Sequence, residues 1–250
     1  MNGLILLFFL LAAMVGAGFL IVSQHQEKKR EEQMQAAAER MEFSLSEGAL
    51  RVQDRLGHFR LFSQGHSRQV RNVMHREIHD IAATLFDYRY RTSSGKHHQT
   101  HQQTVLLLET ERLQLPQVSL RPEGMFHKLA GALGYQDIDF ETHPAFSENY
   151  LLRGDDEAQI RALFSEEALC YYAQHIGLST EGEAQQLIFY RAGQRVEPGW
   201  MENFLEQGLD VLDLFVEKEG VLDSLLLQIE DEEDQDLERA LAQVDIEGWS

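Results

Sequence analysis

The residues of this chain best suited to chemistry are its histidines. His97, His98 and His101, with His75 and His79 upstream, form its densest set of metal-ligating side chains, because neutral imidazole binds Zn²⁺ and similar ions. Their spacing counts against a shared ion. On a strand, residues 97 and 101 stand about 13 Å apart, and His75-Arg76-Glu77-Ile78-His79 is not the HExxH pattern. Nearby Arg89, Arg91 and Lys96 would repel a cation. A second set, Asp137 and Asp139 with Glu141, falls on one face of an extended segment, about 7 Å between neighbours, a separation at which two carboxylates can divide acid and base duties. No partner group for them can be named from the sequence. Cys170 sits in Ala168-Leu169-Cys170-Tyr171-Tyr172, an apolar helical setting that predicts a buried structural thiol rather than a nucleophile.

Phosphate loops of the GxxxxGK[ST] type, GxGxxG turns, GxSxG elbows and CxxC pairs are all absent from the 250 residues. No cofactor is therefore expected. What remains is a polar hairpin face, Arg89, Arg91, Lys96, His97, His98 and His101, interleaved with Phe86, Tyr88 and Tyr90. If the rings enter the core, they cannot serve as a stacking platform, which disfavours nucleic acid as the ligand. Charge agrees. The net −19 divides into +3 over residues 23–122, −12 over 123–216 and −10 over 217–250, a mildly basic half followed by an acidic one. Such asymmetry suits charge-mediated contacts between the halves or with partners.

The elements that would position these groups begin with residues 4–22, nineteen uncharged residues. At a helical rise of 1.5 Å they reach about 28 Å, close to the roughly 30 Å core of a bilayer, and they predict a transmembrane helix over residues 1–23. Lys28, Lys29 and Arg30 follow the run and no charged side chain precedes it. By the positive-inside rule the N-terminus lies outside and the rest in the cytoplasm, in a single-pass protein of a bacterial inner membrane. The lone Cys170 fits a reducing compartment. Ala12 with Gly16, and Ala13 with Ala17, have the small-xxx-small spacing that permits self-association of spans.

Residues 24–55 are rich in helix formers and read as a stalk. Residues 56–218 read as an α+β domain, an antiparallel sheet backed by helices. Alternation predicts strands over 58–63 and 70–78 and a hairpin over 81–109 turning at Ser93-Ser94-Gly95-Lys96. Pro116 and Pro122 bracket a short stretch expected at a sheet edge. Helices are expected over 123–133, over 156–164 capped by Asp155, after Ser165, and from Trp200 to Lys218. A further strand or hairpin is expected over 185–196. Residues 219–250 form an acidic tail with six acids among residues 230–236.

The stretches Phe86-Asp87-Tyr88-Arg89-Tyr90, Gln103-Thr104-Val105, Leu120-Arg121-Pro122-Glu123, Asp137-Ile138-Asp139-Phe140 and Pro144-Ala145-Phe146-Ser147 resemble a family of uncharacterised bacterial membrane-anchored proteins. The resemblance covers roughly residues 58–215, implies one continuous domain and brings no activity with it.

Taken together, the sequence predicts a membrane-tethered binding or scaffold module. Its partners would be the membrane itself through residues 4–22, a protein, and anionic lipid headgroups near the hairpin. The acidic tail would be a second partner-binding segment able to dock on that hairpin. The competing reading is a metal-dependent hydrolase built on the His97, His98 and His101 region or on Asp137 and Asp139.

Overall fold

The alternation over residues 81–109 is realised as a hairpin of two long strands, Ile81–Ser94 and His97–Glu109, in unbroken antiparallel register from Ala82 opposite Glu109 to Ser94 opposite His97. Gly95, at a φ of 60°, supplies the left-handed residue the turn demands. The computed structural model describes residues 2–46, 55–95, 97–123 and 137–216. In chain order these hold α1 (Asn2–Arg40), β1 (Ser44–Leu45), α2 (Arg60–Ser63), β2 (His66–Ile78), the hairpin strands β3 and β4, β5 (Leu115–Pro122), α3 (Pro144–Ser147) and β6 (Tyr150–Gly154). Then come α4 (Glu157–Leu163), α5 (Glu166–Gln174), β7 (Ser179–Ala184), β8 (Gln186–Tyr190), a 3-10 turn (Pro198–Trp200) and α6 (Met201–Asp213). The expected α+β class is what these elements build. Eight strands form one antiparallel sheet in the order β1-β2-β3-β4-β8-β7-β5-β6.

Both faces of the sheet are covered at its centre. On one face Phe86, Tyr88, Tyr90, Val105, Leu107, Ile188 and Tyr190 pack under Leu56, Phe59, Leu61 and Phe62. The opposite face carries Leu85, Leu106, Leu108 and Phe189, all buried, and is roofed by α6. That helix presents Met201, Phe204, Leu205, Gly208, Val211 and Leu212 as one apolar stripe. Gly208 permits the closest approach, since a Cβ there would lie 2.2 Å from Leu106 Cδ2.

The second half of α1 also belongs to the folded body. Arg30, Met34, Ala37, Ala38 and Met41 recur at helical spacing and are buried, so residues 24–46 of the expected stalk contribute packing rather than a free spacer. The membrane span expected at residues 4–22 is corrected too, and with it the transmembrane, single-pass description. Among the described residues no helix is long and apolar enough to cross a membrane. From residue 24 onward α1 is one continuous helix rich in Glu, Lys and Arg, which makes it a polar docking element.

Other differences have local causes. The strand expected over residues 58–63 is replaced by the helical turn α2, Arg60–Ser63, because Leu61 and Phe62, adjacent in sequence, both enter the core; an alternating strand would have exposed one of them. β5 is interior, paired with β6 and β7, and not an edge. Its prolines are tolerated because Pro116 falls where the β7 register lapses between Leu115 and Val118, and Pro122 ends the strand. Asp156, not Asp155, caps α4 by accepting from the Gln159 N–H, whereas Ser165 caps α5 as expected. Residues 124–133 of the helix expected over 123–133, the acidic tail over 219–250 and Lys218 lie outside the described residues.

Candidate functional site

α1 is pinned to the sheet by one buried network. Arg30 Nε donates to Asp87 Oδ2 at 2.7 Å and Nη2 to Oδ1 at 2.8 Å, a two-point pairing that guanidinium geometry favours. The two side chains are 9% and 8% exposed. Thr104 O–H donates to Asp87 at 3.0 Å and Asn72 Nδ2 at 2.8 Å. Arg30 also donates to the Val196 carbonyl at 3.0 Å, while the Val196 N–H donates to Thr104 Oγ1 at 2.9 Å. Burial works against the Arg30 charge, but the hydrogen bond and charge of Asp87 outweigh it and hold the guanidinium above its ordinary pKa. Asn72 reaches the network from a register shift in β2, at a φ of 52°, a left-handed conformation that asparagine tolerates better than most residues.

Beyond this network the same face becomes cationic. Arg71 lies opposite Asp87, and Arg89 and Arg91 follow Asp87 at two-residue steps along β3. Arg71 and Arg91 are exposed and Arg89 half-buried. Arg89 Nε is shut off from water without a hydrogen-bond partner. None of the three makes a side-chain hydrogen bond or ion pair among the described residues, whereas neighbouring Arg195 is held by both carboxylate oxygens of Glu27, at 2.9 and 3.0 Å. Glu27, Gln69, Arg71, Arg89, Gln102 and Arg195 line a small depression there.

The histidines are not gathered. His98 Nδ1 contacts Ser93 Oγ at 2.8 Å, and that hydroxyl contacts His66 Nε2 at 3.0 Å, a polar row across the tips of three strands. His101 belongs to the other face, stacked on Tyr90 at 4.7 Å between centroids and bonded to Thr92 Oγ1 at 3.0 Å. Burial lowers its pKa. His75 is engaged by Thr84 and Glu77. Lys96 and the His97 side chain lie outside the described residues. Among the described residues no group of three or more His, Cys, Asp or Glu side chains is placed to hold a metal ion. Of the two aspartates, Asp137 is gripped by Arg153 at 2.5 and 3.2 Å, while at Asp139 the main-chain carbonyl, not the carboxylate, accepts from Arg161 Nη1 at 2.8 Å. Cys170 is exposed, not buried as expected, because Ala168, Leu169 and Tyr172 are the α5 residues that face inward.

A charged cleft on the Tyr90 face carried no signal in the sequence. Its volume is about 140 Å³, and His58, Arg60, Ser119, Arg153, Glu181 and Glu183 contribute to its lining. Glu181, 2% exposed, accepts the Tyr190 O–H at 2.8 Å and the Leu61 N–H at 3.2 Å. It thereby caps α2, whose own N-cap Phe59 offers no side-chain acceptor. Burial pushes the Glu181 carboxyl above its ordinary range, although these donors and the charge of Arg121 oppose the shift. Burial, with the charges of Arg121 and Arg153, lowers Arg60. Glu181 sits in Ser179-Thr180-Glu181-Gly182-Glu183-Ala184, a strand with no apolar alternation to mark it.

The fold is similar to that of a solved structure, the mycobacterial trehalose monomycolate transport factor A, TtfA. The TM-score is 0.53 at 12% sequence identity, over 74% of this chain and 96% of that one. At that identity the likeness is one of fold. No protein-family model and no curated protein matches the chain.

Proposed function

We propose that this chain is a binding or scaffold module that takes an acidic segment of a partner protein on the cationic face of the β2–β3–β4 arm. The observation that carries this reading is the set Arg71, Arg89 and Arg91, three guanidinium groups on one face with no acceptor among the described residues. Most other arginines of the described chain are spent on internal carboxylates or carbonyls. Guanidinium groups held on a rigid sheet lose little freedom on binding and match carboxylates two-point. A protein partner is favoured over nucleic acid because Tyr88 and Tyr90 are buried on the opposite face and the chain carries a net charge of −19. TtfA is described as a transport factor; carried over with the fold, that role would make this chain an accessory protein rather than a catalyst.

The test is site-specific photo-crosslinking from Thr100, opposite Arg91 in the hairpin. A discrete partner should be captured through an acidic segment, with yield falling as salt screens the contact. The combined R71A, R89A and R91A variant should lose it. Undiminished capture by that variant would dismiss the reading.

A further inference from the structure

The opposite face carries a feature that the proposed acidic-segment site does not use. Arg60 lines the Glu181 cleft, yet its guanidinium has no hydrogen bond and no ion pair among the described residues. Arg153, on the other wall, gives Nε and Nη2 to Asp137 and retains Nη1. Between them Ser119 Oγ is closed off from water with no hydrogen-bond partner, although buried hydroxyls ordinarily have one. Donors that lack acceptors therefore converge on one small space. Of its acidic members, Glu181 is engaged, both of its oxygens taking protein donors. Glu183 Oε2, in contrast, is shut off from water without a hydrogen-bond partner, 3.9 Å from His58 Nε2, and a protonated His58 would offset its charge. A volume of about 140 Å³ is several times the roughly 10–15 Å³ that a single water requires, room for a small oxyanion group.

We infer that this cleft is a binding site for a small oxyanion, a carboxylate or phosphate group, held by Arg60, Arg153 and the Ser119 hydroxyl. Arg60 and Arg153 supply planar forks suited to two oxygens of the ligand, and Ser119 donates to a third contact. Both walls are sheet or sheet-anchored, so the donors are fixed before the ligand arrives and binding orders few side chains.

The experiment titrates the full chain with sodium phosphate and, separately, sodium acetate, at ionic strength fixed by sodium chloride. Heat and the thermal unfolding midpoint are both recorded. A ligand that binds only the folded state raises the midpoint with the logarithm of its concentration. Phosphate alone doing so assigns a phosphoryl ligand, acetate alone a carboxylate, and both together a general oxyanion site. R60Q and S119A should each weaken binding about tenfold or more, with R60K intermediate, while R112Q, at a surface pair with Asp80, should bind as the parent does. S119A removes only a hydroxyl and keeps the test open if R60Q fails to fold. No saturable heat and no midpoint shift with either anion would overturn the inference, as would binding that R60Q and S119A leave unchanged.

Discussion

Arg30 is a charge removed from water for the sake of one carboxylate. A buried pair of this kind contributes little over an apolar substitute, but losing one member strands the other. R30A should therefore lower the unfolding free energy by about 3–5 kcal/mol in urea titrations. The R30M/D87L double variant should lie closer to the parent than R30A does, because it strands no charge. Glu181 sets a pH dependence of opposite character. Its folded pKa is raised, so the folded chain holds that proton more firmly than the unfolded one. Stability is then lost as pH climbs from the unfolded value, about 4.3, through the raised folded value. Urea midpoints measured across this window should fall less steeply with pH in E181Q, whose amide can still accept the Leu61 N–H while Tyr190 turns its hydroxyl to accept. An unchanged slope would assign the pH dependence elsewhere. Neither role was legible in sequence. Asp87 points away from the Tyr88 face on the side of Arg89 and Arg91, where alternation alone would leave it in water, but Arg30 of α1 reaches it there and both side chains are buried.

At the scale of elements, the hairpin was legible because thirteen paired positions repeat one period, and its turn residue is a glycine. α6 was legible for the same reason at helical period. α2 and β7 were not, since their conformations are set by one another: the carboxylate that caps α2 arrives from a strand 120 residues later. Packing makes its own prediction at α6. Glycine to alanine in a helix interior ordinarily gains about 1 kcal/mol. At Gly208, however, the new methyl would meet Leu106 Cδ2 at 2.2 Å, with Phe189 Cδ1 at 3.3 Å. Overpacking of this kind costs about 1–3 kcal/mol. G208A should thus lower the thermal midpoint, whereas a rise would mean that the Leu106 side chain yields freely.

For the whole molecule, the order of the sheet was beyond sequence reading, because β8 inserts between β4 and β7 and no local pattern encodes a partner eighty residues away. The same arrangement governs when the α1 network can close. Arg30 waits for Asp87, 57 residues on, and then for the Val196 carbonyl, 166 residues on. At a synthesis rate of about 5–20 residues per second, a ribosome needs roughly ten to thirty seconds to deliver that last acceptor. For that interval α1 is a segment whose arginine network stays incomplete, exposed to whatever meets nascent chains before the sheet can claim it.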